Sequence, residues 1–184
     1  MFKTLRHFFC LNVITAYSAI FSAQDIYAEN LQTPNTSLCN TNESIIFNCN
    51  IKNSIKSLSV CSSQNLSNKS GYIQYRFGRI GAIELEYPTE KEASRSSFLF
   101  ATYTRFQVSE ISLGFSINNI NYLIFDNYYA ESKPIVNEKG IAIISQGTEK
   151  KHIKLLCGKG AISNLEDLED IVPCNKNLSF GSCE

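Results

Sequence analysis

From residue 44 to residue 157 the chain alternates apolar and polar residues, in short runs separated by glycine, asparagine and proline. A period of two places successive side chains on opposite faces of an extended strand, so each run reads as a half-buried β-strand. Ile45, Phe47, Cys49 and Ile51 share one parity. Leu58–Ser62 and Tyr72–Phe77 follow, and then Ala82–Tyr87, where Ile83, Leu85 and Tyr87 alternate with Glu84 and Glu86. Pro88 ends that run because proline cannot donate to a ladder. Ser97–Val108 carries apolar residues on both parities, Phe98, Phe100 and Phe106 against Leu99, Ala101 and Tyr103. Glu110–Ile117 alternates cleanly. Asn118-Asn119 tolerates positive φ and marks a tight turn into Asn121–Tyr129. Gly140–Ser145 and His152–Cys157 form a last hairpin.

About nine short strands with turn signals between them predict an all-β domain, an antiparallel β-sandwich or a small barrel. One short C-terminal helix is expected. Ser163 and Glu166 fit a capping box, Leu165, Leu168, Ile171 and Val172 then share a face, and Pro173 stops the run. The predicted organisation is a signal peptide over residues 1–28, an irregular tail over 29–43 tied down only by Cys39, and a single β domain over 44–184.

The signal reading rests on three features. Lys3 and Arg6 form a basic head, Phe8–Ala23 is an apolar stretch, and Ala28 suits the residue before a cut, with Ala23 as the alternative. The stretch is too short and too polar, with Asn12, Thr15 and Ser18, for a spanning helix of about 20 apolar residues. No stable membrane anchor is therefore expected after cleavage. Export would discard Cys10 and leave six cysteines: Cys39, Cys49, Cys61, Cys157, Cys174 and Cys183.

An even number of cysteines in an exported chain implies a disulfide framework. The preferred pairing is Cys49–Cys61 across a hairpin, Cys157–Cys174 pinning the helical segment, and Cys39–Cys183 clamping the two ends. Strand parity complicates the first bond. Leu58 and Val60 facing the core would turn Cys61 away from it, while Cys49 sits with the core set. A bond between them needs a bulge, or the two pair elsewhere. Cysteine-bound zinc is not expected, because no C-x2-C spacing occurs.

Removing Lys3, Arg6 and Asp25 with the signal turns 17 basic and 17 acidic residues into 15 and 16. Such a balance argues against a nucleic-acid partner, which calls for basic excess. Catalytic signatures are sparse. His152 is the one histidine left after residue 28, and its parity opposes Ile153 and Leu155, so it reads as a solvent-facing strand residue. Glu84, Glu86 and Asp126 are the carboxylates a hydrolase would use, if they converged at about 5–10 Å. Alternating glutamates on a strand are more simply its wet face. No cofactor and no catalytic residue is assigned, and the expectation is that the chain is not an enzyme.

Arginine and tyrosine are the residue types that anchor protein interfaces. They are densest in Tyr72-Ile-Gln-Tyr-Arg-Phe-Gly78, after the Asn/Ser/Gly-rich loop 66–71. Ser70, Gly71, Tyr72, Tyr75, Arg76 and Arg79 are therefore the candidate partner-binding residues. At Phe47-Asn-Cys49, Val60-Cys61, Tyr72–Gly78 and Ile83-Glu-Leu-Glu-Tyr-Pro88 the chain resembles a family of uncharacterised small exported proteins of Gram-negative bacteria. That resemblance implies a periplasmic or secreted location and brings no activity with it. A second resemblance is to the periplasmic lysozyme inhibitors, disulfide-tied β domains that use a loop with Ser-Gly-x-x-Tyr. Here Ser70-Gly71 is followed by Tyr72 and Tyr75, so Tyr75 departs from that spacing by one residue. The expectation is an exported binding or inhibitory module acting on a protein partner, a lysozyme-like enzyme or a toxin. The alternatives are a hydrolase built on the strand carboxylates and a passive envelope component.

Overall fold

A computed structural model describes residues 37–92, 94–145 and 151–178, all within the unit Thr33–Glu184. The expected signal peptide, the first part of the tail and Cys183 lie outside the described residues. Ten strands occur among the described residues: β1 (Glu43–Asn50), β2 (Ser57–Ser63), β3 (Ile73–Arg79), β4 (Ala82–Tyr87), β5 (Leu99–Arg105), β6 (Val108–Ile117), β7 (Ile120–Tyr129), β8 (Val136–Ser145), β9 (His152–Leu156) and β10 (Ile162–Ser163). They form two five-stranded antiparallel sheets, in the orders β10-β1-β2-β3-β4 and β5-β6-β7-β8-β9. The strands β1–β4 and β5–β9 are each a meander; the chain crosses between the sheets from β4 to β5 and returns after β9, so that β10 adds at the β1 edge. The result is an open sandwich; the barrel alternative is corrected by the two separate sheets.

Alternation decides which side chains meet between the sheets. Phe47, Val60, Tyr75 and Tyr87 lie in one cross-strand row, as do Cys49, Leu58, Phe77 and Leu85. Leu113, Ile124 and Ile141 face them from the second sheet and are fully buried. Phe115 sits at the seam. Its ring stacks on Tyr87 at 4.6 Å and on Tyr122 at 4.8 Å, and it meets Tyr75 at 4.9 Å and Phe98 at 5.6 Å. Such contacts add about 0.5–1.5 kcal/mol per pair beyond burial.

The predicted C-terminal helix is corrected to a single 3-10 turn, Leu165–Leu168. Ser163 cannot cap it, because Ser163 belongs to β10 and pairs with Phe47. Asn164 precedes the turn instead, and its N–H and side-chain amide are held by the Ile46 and Ile45 carbonyls. Asp170 at φ +65° then stops any continuation. The apolar face survives the change: Leu165, Leu168 and Val172 are buried in the core.

All three expected disulfide pairs are corrected. Cys39 bonds Cys61 and Cys49 bonds Cys157, with Cα–Cα distances of 5.4 and 5.5 Å. Cys174 is also disulfide-bonded. The parity conflict explains the first correction. A bulge at Ile46 does exist, but it lies before Cys49 and leaves Cys49 opposite Leu58 on the inner face. Cys61 stays on the outer face, where Cys39 reaches it. Cys49 meets Cys157 because the end of β1 and the end of β9 converge, with Ile51 bridging Cys157. That bond ties the first sheet to the second. Two such bridges fit an oxidising environment, extracellular or periplasmic. Among the described residues no helix is long and apolar enough to cross a membrane.

Candidate functional site

In an antiparallel sandwich the outer faces are ordinarily wet. Both outer faces of this protein are partly buried, by different chemistry.

On the first sheet the cover is polar. Residues 37–42 pass over it and are held by more than Cys39, which corrects the single-tether expectation. Ser37, Leu38 and Glu43 are all buried. The Leu38 N–H donates to Ser59 Oγ, which in turn donates to Asn48 Oδ1. Beneath this strap lies an ion pair. Arg76 Nη1 donates to Glu43 Oε2 at 2.5 Å, and Nη2 to Glu43 Oε1 at 3.0 Å; the two side chains are 3 % and 0 % exposed. Arg76 also donates to Glu86, to Gln74 Oε1 and to the Leu38 carbonyl. Glu43 further accepts from the Asn40 N–H, from the Tyr72 hydroxyl and from Lys91. Burial alone would raise the Glu43 carboxyl, but the bonds from Arg76, the Asn40 N–H and Tyr72 outweigh it and hold the group at about 2.

This geometry divides the six predicted partner-binding residues. Arg76 is sealed in the pair with Glu43. Tyr75 is 1 % exposed on the opposite face of β3, packed on Phe115 and Tyr122. Burial pushes its phenol far up. The expectation that these two present an accessible surface is therefore corrected: one is spent on a buried charge pair and the other on the core. Ser70, Gly71, Tyr72 and Arg79 remain at least partly accessible. Ser70 belongs to a self-bonded loop: its N–H donates to Ser67 Oγ and its hydroxyl to the Asn65 carbonyl. Gly71 has φ +87°, and a Cβ there would lie 2.5 Å from Ser63 Oγ, so the loop needs glycine. Tyr72 stands beside Lys91, whose ammonium sits 4.3 Å from its ring centroid. Arg79 is exposed at the far end of β3.

The carboxylates considered for hydrolysis are dispersed. Glu84 pairs with Lys56, Glu86 with Arg76, and Asp126 with Lys139 on the other sheet. Cys39, Glu43 and Cys61 bring ligand-type atoms within 4.8 Å of one another, but the two sulfurs are bonded together and offer no thiolate to a metal.

On the second sheet the middle of the outer face is largely apolar, between polar rows at Glu110–Asn127–Glu138 and Ser116–Asn121. Leu99, Gly114, Leu123, Ala142 and Lys154 form one cross-strand row; Ala101, Ser112, Phe125, Gly140 and Leu156 form the next. The small residues give this surface depth. At Gly140 a Cβ would lie 2.2 Å from the Leu155 carbonyl oxygen and 3.0 Å from Phe125 Cζ, so glycine lets β9 close on β8 and the Phe125 ring lie flat. Two adjoining hollows result. One of about 270 Å³ is lined by Ala101, Tyr103, Ser112, Phe125 and His152. The other, about 430 Å³, is lined by Leu99, Gly114, Asn121 and Ile144. Leu123 and Leu178 line both, so the two make one groove.

Polar groups mark the groove's margins. Lys154 lies over Phe125 at 5.1 Å and is paired with Glu138. Glu110 accepts from the Tyr129 hydroxyl at 2.7 Å; burial and this bond push Tyr129 up to about 12, so it stays a neutral donor. His152 is exposed in β9, as its parity predicted.

The groove was not among the sequence candidates. Its signal was present in the double parity of three strands: Leu99 and Ala101 beside Phe98 and Phe100, Leu123 and Phe125 beside Ile124, and Ala142 beside Ile141 and Ile143. A strand apolar on both parities is covered on both faces. No protein-family model matches the chain, and neither a curated protein nor a solved structure is detectably similar to it.

Proposed function

We propose that this chain is an exported, periplasmic protein-binding module of inhibitory type, which receives its partner on the outer face of the β5–β9 sheet. One observation carries the reading: a continuous apolar groove runs over a face that an antiparallel sheet normally gives to water. Its floor of Ala101, Ser112, Leu123, Phe125 and Ala142 offers shape and apolar area, and Lys154, His152 and Glu110 supply polar anchors at the edges. Aromatic and aliphatic side chains seated in such a hollow are the usual source of interface affinity.

The Cys39–Cys61 and Cys49–Cys157 bonds support work in an oxidising compartment. A lysozyme-like enzyme or an incoming toxin is the partner class that the Ser70-Gly71 resemblance suggests. The self-bonded loop around Ser70 supports a preorganised second contact, which lowers the ordering cost of binding.

The test is a titration of the purified disulfide-bonded protein against lysozyme-like muramidases, read by the rate of peptidoglycan lysis and by calorimetry. Wild type is expected to bind saturably and slow lysis, and Leu123→Glu to abolish both while keeping the wild-type near-UV spectrum. Absence of saturable binding, or an unaffected Leu123→Glu variant, overturns the reading.

A further inference from the structure

The β1–β2 and β3–β4 turns stand side by side at one end of the first sheet. Both carry isoleucine where turns ordinarily carry polar residues or glycine. Ile55 is 78 % exposed and Ile80 is 65 % exposed, and the two line one hollow with Asn50, Ser54 and Ser57. Ile83, also exposed, follows on β4. Exposed apolar residues scattered singly are common, but neighbours on adjoining turns form a patch. Backbone bonds hold the first turn in place. The Ile51 N–H donates to the Lys56 carbonyl, the Ser54 N–H to the Ile51 carbonyl and the Lys52 N–H to the Leu156 carbonyl. In the second turn Gly81, at φ +75°, has nothing within 4 Å of where a Cβ would lie, so this tip projects into solvent.

Basic side chains flank the isoleucines. Lys52 lies in the first turn, and Arg79 immediately precedes Ile80. Lys159 is brought to the same end because the Gly158 N–H donates to the Asn50 carbonyl at 2.8 Å. All three are exposed, and none is ion-paired among the described residues. Lys52 and Lys159 line a common hollow with Lys139 and Glu138. The carboxylates near this end are already matched: Glu84 with Lys56, Glu138 with Lys154 and Asp126 with Lys139. Lys52, Arg79 and Lys159 are therefore a local cationic surplus, in a chain whose 17 basic and 17 acidic residues balance overall.

We infer that this end of the first sheet is a membrane-contact surface, which lays Ile55 and Ile80 into the headgroup region of an anionic bilayer while Lys52, Arg79 and Lys159 meet its charge. Aliphatic side chains flanked by lysine and arginine have the two components of interfacial binding, buried apolar area and attraction to anionic lipid. Shape favours a bilayer over an acidic protein. A stable protein interface takes about 800 Å² from each partner and a complementary fit. Two projecting turns present only a few side chains, and a fluid bilayer receives them without a matching surface. The contact is reversible, and it is independent of whether the groove on the β5–β9 sheet binds protein.

The chain contains no tryptophan, so Ile80→Trp sets a single reporter at the tip. The purified disulfide-bonded protein with this substitution is titrated with vesicles of phosphatidylcholine alone and of phosphatidylcholine mixed with phosphatidylglycerol. Emission is expected to shift to the blue with the anionic vesicles only, and added salt should reverse the shift. Flotation with the anionic vesicles then compares proteins that lack the reporter. Lys52→Gln, Arg79→Gln and Lys159→Gln should each weaken partitioning about fivefold. Ile55→Ser and Ile80→Ser combined should weaken it on the order of tenfold or more. Wild type and variants carry the same N-terminus, so the differences isolate the turns, and near-UV spectra confirm that each variant is folded. No blue shift, equal partitioning into neutral and anionic vesicles, or folded variants that float as wild type does would each overturn the inference. Leu123→Glu should float as wild type does; its loss from the vesicles would put the contact on the groove and overturn the inference as well. Binding to polyglutamate without binding to vesicles would overturn it in favour of an acidic protein partner.

Discussion

Glu43→Gln is the sharpest probe of how the first sheet is held. The substitution keeps shape and removes charge, leaving Arg76 buried with only the half-exposed Glu86 as its acidic partner. The magnitude follows from proton linkage. The Glu43 carboxyl drops from 4.5 to about 2 on folding. At about 1.4 kcal/mol per tenfold change in proton affinity, this is about 3 kcal/mol. Removing one member of a buried pair typically costs about 3–5 kcal/mol, so the two routes agree. Because the folded value lies below the unfolded one, this stability is fully present above about pH 4.5 and is lost as pH falls through 2.

The assay is urea denaturation with disulfides intact, for wild type and Glu43→Gln, at steps from pH 7 to pH 2. Glu43→Gln should be about 3 kcal/mol less stable at pH 7, and most of that gap should close by pH 2, when the wild-type carboxyl is itself protonating. Other carboxylates titrate in both proteins, so the difference isolates Glu43. A companion Arg76→Met should cost a similar amount. The double variant should fall short of the sum by about 2 kcal/mol or more, since neither charge is then left alone. A gap under about 1 kcal/mol at pH 7, or one that does not shrink on acidification, would refute the argument.

The Cys49–Cys157 bond closes a loop of sequence separation 108 and Cys39–Cys61 one of 22, so their removal should cost about 5 and about 3 kcal/mol respectively. Peptide mapping under non-reducing conditions checks the pairing, and thermal denaturation of the paired alanine variants checks the order. Gly140→Ala should cost about 1–3 kcal/mol, because its Cβ meets the Leu155 carbonyl and the Phe125 ring. Hydrogen exchange should then speed up in β9 more than in β1.

Alternation made most of the sheets legible, and the run Ala82–Tyr87 is β4 to the residue. What failed were features set by tertiary partners. The capping-box signal at Ser163 was locally sound, yet pairing with Phe47 outcompeted helix initiation there. Parity showed Cys49 and Cys61 on opposite faces, but it could not say that Cys157 and Cys39 would come to meet them, since both contacts arise from chain crossings outside any hairpin. Tyr75 and Arg76 are adjacent residues, so one had to face inward. Which one would be accessible depended on the strap of residues 37–42, whose irregular sequence carries no period to read.

The two outer faces together locate function better than either alone. Sheet one buries charge outside the core, and every donor of the Arg76–Glu43 network has a partner within the chain: Asn40, Tyr72, Lys91 and Arg76 converge on one carboxylate. The buried pair spends Arg76 and Glu43 on holding the strap to the sheet, and its logic is stability. Sheet two buries apolar surface in the same topological position, and among the described residues Leu178, 41 % exposed, lines both of its hollows. Apolar area that stays exposed has not been removed from water, and hydrophobic burial scales with area removed. The unspent driving force therefore lies on the β5–β9 sheet, where Leu99 and Leu178 stay 43 % and 41 % exposed.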